Sequence, residues 1–387
     1  MDEGLPHDAA LLAAQPKRIV DQLGRMARAF DAIDGLLHRL GLQGLQRMSR
    51  ASVDELGALA QTAHNAGLIT IERELNRLTT LVERALGRDP LFDMEVWQAT
   101  VSRIWLLGRR SRARFEGGAL PDEMRGLIGV ARRSYAAVDG PIDVQALGAA
   151  GWVSDTGFVG ITVHYAAQDG GLYQVVSARP TMHFGTDPTR MLRWPAHDAL
   201  DESLGEMSHG AWRFEGARVS GDRRLSIHKD LKVYAAPYVG GRAYGAVQAP
   251  DWRAALDRLR ASPPGEPTLV YIEPAAVGEV ETDHTRGRAR AVARDASGAR
   301  LIIEVPLRRE NNLLVDNLEQ MYGPHRAGAV PRCDGLFGRL SVADDGLRFD
   351  PLTGVWVQPL KLARRGRPAH HTVHLSLEAL EGARRAR

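Results

Sequence analysis

Cysteine is nearly missing from this 387-residue chain: Cys333 stands alone, so no internal disulfide is available and no all-cysteine zinc site can form. Lysine is scarce beside arginine, so the basic character is carried by planar guanidinium groups suited to phosphate and carboxylate. No uninterrupted apolar run approaches the roughly 20 residues of a membrane span, and Met1-Asp2-Glu3 opens the chain without a basic or apolar leader. These absences predict a cytoplasmic protein with no membrane partner. No glycine-lysine-threonine phosphate loop and no dinucleotide fingerprint occurs; Gly240, Gly241 and Gly245 have the spacing of a turn. No cofactor is expected. What remains is ordinary globular material, 44% hydrophobic and 25% charged, with a net charge of +3 and a pI near 9.1, enough for two or three domains. That balance permits nucleic acid without requiring it.

The spacing predicts a helical bundle of four or five helices over 1–140. Ser52 and Glu55 read as a capping box, and Leu56, Leu59, Ala60 and Ala63 follow on one face before a stop at Gly67. Leu68, Ile71, Leu75, Leu78 and Val82 form the seam of a second helix packed against the first. A further helix from Asp93 presents Trp97, Val101, Ile104 and Trp105 together, then reaches the cluster Arg109, Arg110, Arg112 and Arg114, a candidate partner-binding surface.

From 141 to 261 the pattern changes to strand alternation. Gly160–Ala166 and Leu172–Ala178 are expected to pair around Asp169-Gly170-Gly171, and Trp212–Val219 with Arg224–Tyr234 around Gly221-Asp222. Residues 181–207 read as a long loop with a short helix. A helix at Asp251–Arg260 precedes the linker Ser262-Pro263-Pro264-Gly265. Residues 266–362 then run as strands, a helix at Asn311–Met321 and more strands, the order of an oligonucleotide-binding (OB-like) barrel. Residues 363–387 are expected to be a basic tail, with Lys361, Arg364, Arg365, Arg367, Arg384, Arg385 and Arg387 close to it or within it. The fold class is α+β: a helical bundle followed by two β-rich, barrel-like domains, the last OB-like.

Catalytic constellations fail on geometry. Ser226, His228 and Asp230 alternate along an expected strand without a nucleophile elbow. His370 and His374, about 13 Å apart along a strand, cannot share a metal with His371. The chain therefore reads as a non-enzyme. In the OB-like segment Arg288, Arg290, Arg308, Arg309 and Arg339 are candidate backbone contacts for a single-stranded nucleic acid, with Phe337 and Trp356 either stacking on bases or simply filling the barrel.

The helices over Ser52 to Leu86, the segment Gly151-Trp152-Val153-Ser154-Asp155-Thr156-Gly157-Phe158-Val159-Gly160, the run ending Ser177-Ala178-Arg179-Pro180, and Gly216 to Ser226 resemble an uncharacterised bacterial accessory protein. Its relatives are encoded beside a SWIM zinc-finger protein, a MoxR-type AAA+ ATPase and von Willebrand factor A domain proteins. The resemblance implies a non-enzymatic adaptor or scaffold subunit of an ATPase-driven system of bacterial conflict or defence, with the ATPase and the von Willebrand domain proteins as partners. Single-stranded nucleic-acid binding through the OB-like domain is the alternative.

Overall fold

The computed structural model describes residues 5–90, 92–129, 135–154, 157–195, 202–237, 244–262, 267–323, 332–343, 346–360 and 370–380. The fold is α+β, and it divides into two compact units, one within 1–133 and the other in 134–262 and 267–387.

The first unit is helical. A short α1 (Ala9–Ala13) precedes four long helices, α2 (Lys17–Gln43), α3 (Arg50–Ala66), α4 (Ile69–Leu86) and α5 (Met94–Glu116), and α6 (Arg125–Ile128) closes it. The apolar stripes converge on one core, in which Leu23, Met26, Ile33, Leu56, Leu75, Leu78 and Ile104 are wholly inaccessible. Helix α3 begins a turn earlier than Ser52: the Ser49 N–H donates to Ser52 Oγ at 3.1 Å, so the second serine acts inside the helix. Gly67 ends it in the left-handed region, φ 79°, a conformation an L side chain resists. On α5 the inward stripe is Ile104, Leu107, Ser111 and Phe115, and Trp105 falls outside it.

The second unit holds the strands β1 (Tyr135–Ala137), β2 (Ile142–Val153), β3 (Phe158–Ala167) and β4 (Leu172–Pro180), then the short helices α7 (Thr181–Phe184) and α8 (Leu204–Met207). Next come β5 (Ala211–Glu215), β6 (Arg218–Ser220), β7 (Lys232–Ala236), β8 (Gln248–Ala249), helix α9 (Trp252–Ala261) and β9 (Thr268–Ile272). β10 (Ala276–Val277), β11 (Glu281–Asp283), β12 (Arg288–Arg294), β13 (Arg300–Pro306), helix α10 (Asn312–Tyr322), β14 (Gly335–Ala343), β15 (Gly346–Leu360) and β16 (His370–His374) complete it.

One sheet runs β4-β3-β2-β5-β7, antiparallel throughout; the expected β3/β4 hairpin is there with Tyr165 opposite Tyr173. The second expected hairpin is not a continuous pair. Its two ends are there, β5 antiparallel to β7 and Val219 bridged to Leu225 around Gly221-Asp222, but Gly216 turns the chain between them at φ 71°, and β6 also pairs with β1. The larger sheet runs β10-β12-β13-β15-β14-β9-β8, with β11 on β12 and β16 on β15; β13/β15 and β8/β9 are parallel. Among the described residues both paths are open, and neither sheet closes into a barrel.

The larger sheet buries one face under α9 and α10, with Val270, Ala293, Leu301, Val305, Leu336 and Phe349 at the centre. Its other face carries Phe337, Tyr271 and Leu352 against Leu147, Ala150 and Ala166 of the smaller sheet, so the two β-rich regions share a core and form one unit. Gly148 marks the closest approach, since a Cβ there would meet the Phe337 ring at 2.8 Å and overlap Thr353. Of the expected C-terminal tail, residues 370–380 are built into this unit: Leu375, Leu377 and Leu380 are buried. Lys361, Arg364, Arg365, Arg367, Arg384, Arg385 and Arg387 lie outside the described residues, as do Gly240, Gly241 and the linker residues Pro263, Pro264 and Gly265.

Candidate functional site

Helices α2 and α5 pack closely where Gly108 faces Ile33; a Cβ on Gly108 would meet the isoleucine at 3.6 Å. Along the same pair of helices lies a groove of about 480 Å³, lined by Asp34, Leu37, His38, Gly41 and Leu42 of α2 and by Trp105 and Arg109 of α5. Gly41 leaves its floor open, with nothing within 4 Å of a notional Cβ. Trp105 is 53% exposed and Leu42 73%, an unusual cost for two large apolar side chains on a bundle with a complete core.

The predicted arginine cluster is divided by this geometry. Arg112 reaches along the surface to α2, where it bridges Asp34 at 2.7 Å and Asp31 at 3.0 Å as well as Glu116 of its own helix at 2.8 Å. The hydrogen bond to Glu116, with help from the two aspartates, raises its already high pKa, so it is a fixed charge that ties α5 to α2. Arg109, Arg110 and Arg114 are exposed and meet no acidic partner among the described residues; of these Arg109 reaches the groove. Trp105 was legible only as a core residue, because it stands four residues after Val101.

The candidate nucleic-acid residues separate in the same way. Arg288 and Arg290 on β12 and Arg348 on β15 converge on Glu304 of β13, with nitrogen–oxygen distances of 3.3, 3.0 and 2.8 Å. Arg339 faces Asp350 at 3.5 Å, and Glu281 and Asp283 stand opposite Arg290 and Arg288 across β11/β12. Cations on this face are thus matched by carboxylates. Arg308 is exposed beyond the end of β13; Arg309 begins a 3-10 turn, and its side chain is outside the described set. Phe337 is wholly buried where the sheets meet, and Trp356 is 3% exposed in the core under the helices, so neither ring is presented to a base.

Ser226, His228 and Asp230 do not make a triad. His228 Nδ1 accepts the Asp230 backbone N–H at 3.3 Å and lies 4.0 Å from its carboxylate, so that nitrogen cannot also donate to the acid as a catalytic histidine must. A grouping the sequence did not reveal joins His209, His374 and Glu378, whose potential ligand atoms lie within 4.8 Å of one another. The imidazoles stack at 4.3 Å, and His209 Nε2 meets Glu378 Oε1 at 3.0 Å. His374 Nδ1 accepts the Ala149 N–H at 3.3 Å, so its proton resides on Nε2 and is donated to the Ser208 carbonyl at 3.0 Å. With both nitrogens committed, His374 has no lone pair for a metal, and the trio reads as a pin fastening the last strand to β2. Burial raises the Glu378 pKa, but the facing His209 and His374 outweigh it and leave the carboxyl well below its usual range.

No family model and no curated protein matches the chain. One solved structure, described as "Structure and Conformational Change of a Replication Protein A Heterotrimer Bound to ssDNA", aligns at 11% identity and a TM-score of 0.28, covering 54% of this chain and 46% of the other. The chain spans under half the length of that neighbour, and a likeness at this level carries no argument about function.

Proposed function

We propose that the chain is an adaptor or scaffold subunit whose helical unit receives a helix of a partner protein in the α2–α5 groove. The observation that carries this is Trp105, half exposed beside Leu42 and next to Arg109, a cation without an acidic partner among the described residues. Tryptophan and arginine are the side chains that most often anchor an interface, and a groove between two helices accepts an amphipathic helix by its apolar face. The partner is expected to bring large apolar residues for Trp105 and Leu42 and a carboxylate for Arg109.

The resemblance described above supplies the candidates, a MoxR-type ATPase and von Willebrand factor A domain proteins, in a conflict or defence system. The alternative, an OB-like use of residues 266–362 on single strands, is weakened by the carboxylates matched to its arginines. Size-exclusion chromatography of the chain with each purified candidate tests the adaptor reading. A co-eluting complex is expected, and Trp105→Ala or Arg109→Glu should weaken it by about tenfold or more, a hot-spot effect. Both side chains are exposed, so circular dichroism should be unchanged. A complex unaffected by either substitution removes the groove from the model.

A further inference from the structure

The groove between α2 and α5 brings together two basic side chains from opposite walls, His38 on α2 and Arg109 on α5. His38 is exposed and, like Arg109, meets no acidic partner among the described residues. The other charged groups around it are engaged elsewhere. Asp34, one turn back on α2, is held by Arg112 at 2.7 Å, and Arg39, the next residue, is paired with Glu55 of α3. Arg109 and His38 therefore stand open beside the apolar faces of Leu37, Leu42 and Trp105.

Charge is spread unevenly along this pair of helices. Toward the end of α5, Asp31, Asp34 and Glu116 share Arg112, three acids on one cation. The other end holds Leu42, Trp105, Arg109 and His38. A nucleic acid lying along the groove would bring its phosphates against the acids. A helix with one carboxylate has only to reach the cationic end, where its apolar face also meets Trp105 and Leu42.

We propose that the α2–α5 groove takes an amphipathic helix whose carboxylate sits between Arg109 and His38, and that its affinity rises as the pH falls. This rests on the adaptor reading of the groove and adds to it the partner's chemistry and its regulation. Arginine is charged at every physiological pH, so Arg109 supplies a constant attraction. Imidazole is the side chain whose charge changes between about pH 5 and 8. A proton on His38 gives the carboxylate a second charged donor, and the bound carboxylate in turn favours that proton. The complex thus holds the proton more firmly than the free chain does, and by linkage binding strengthens toward acid.

The probe is a displayed library of helical peptides with a fixed leucine stripe and randomised polar positions, selected on the full chain at pH 5.5 with the Trp105→Ala chain as counter-selection. Selected peptides are expected to carry Asp or Glu beside the stripe. Fluorescence anisotropy of a labelled one should show binding about threefold tighter at pH 5.5 than at pH 7.5, the size of one exposed ion pair. His38→Gln should erase that gain and leave the affinity at pH 7.5 within about twofold, whereas His38→Lys should keep the tighter value at both pH values. A histidine that only shaped the wall would not separate the two variants in this way. Peptides that need Trp105 but carry no acid, or a gain at pH 5.5 that survives His38→Gln, would overturn the proposal and leave the groove standing. Failure to select any peptide that distinguishes the Trp105→Ala chain would overturn the groove itself and the proposal with it.

Discussion

His164 lies on β3 with its ring edge-on to Phe337, centres 6.0 Å apart, and its Nε2 is buried with no hydrogen-bond partner among the described residues. Desolvation, with Arg339 adding like charge, lowers its pKa to about 3. The folded chain therefore keeps this imidazole neutral where an unfolded chain, near pH 6.5, begins to take up a proton. Protons bound only by the unfolded state favour unfolding, so stability is full above about pH 6.5 and declines by up to about 1.4 kcal/mol per pH unit as pH falls toward 3. His164→Phe should remove that part of the loss, read as a smaller drop in urea midpoint between pH 7 and pH 5. An unchanged drop would show that acid sensitivity resides in other groups. Single residues were also where the sequence misled most. Trp105 fits a helical stripe through Trp97 and Val101 as well as it fits solvent, because spacing alone does not say where a stripe ends. Arg109 and Arg112 read as one cluster, and only the position of α2, with Asp31 and Asp34, separates a structural arginine from an available one.

Strands and helices were more legible than their neighbours. Helix α10 and strands β13 and β14 follow the alternation expected of them, since periodicity is a local property of the chain. Which strand lies beside which is not local. β13 pairs in parallel with β15, placing Ile302 beside Arg348 after more than forty intervening residues, and that pairing brings a third arginine to Glu304. At 14% side-chain exposure, Glu304 is the counterion of three cations 12–28% exposed. Glu304→Gln should destabilise the second unit by about 3 kcal/mol, because it leaves partly buried guanidinium groups facing one another. The loss should shrink at high salt, which screens their repulsion. Thermal melts of both proteins in low and high salt would show it; an equal loss in each would mark Glu304 as a packing residue. The stretch after Gly221 follows its strand-like pattern only in part: Ser226 donates its N–H to the Arg218 carbonyl of β6 at 2.8 Å beside the Val219–Leu225 bridge, and regular pairing resumes only at β7.

At the scale of the molecule, two compact units predict two unfolding transitions. The second unit depends on its far end: Asn317, wholly buried on α10, donates to the carbonyls of Leu375 and Glu378 at 2.8 and 2.7 Å and accepts the Leu380 N–H at 3.0 Å. Ending the chain after residue 369 strips β16, the His374 pin and these bonds together. The transition of the second unit should then disappear from a calorimetric scan, while the helical transition, whose core lies within 1–133, keeps its midpoint. Survival of both would show that β16 is an accessory strand. The expected tail composition hid this, because the leucines that enter the core sit among basic residues outside the described set.

Strand β16 also imposes an order on synthesis. The helical unit is complete once α6 has left the ribosome, whereas the larger sheet waits for residues up to Leu380, about 250 positions later. At translation rates of roughly 5–20 residues per second the nascent chain carries a finished groove for on the order of 10–50 s before its β-rich part can close. A partner that recognises Trp105 and Arg109 could therefore join the chain while it is still being made, and assembly could precede folding of the remainder.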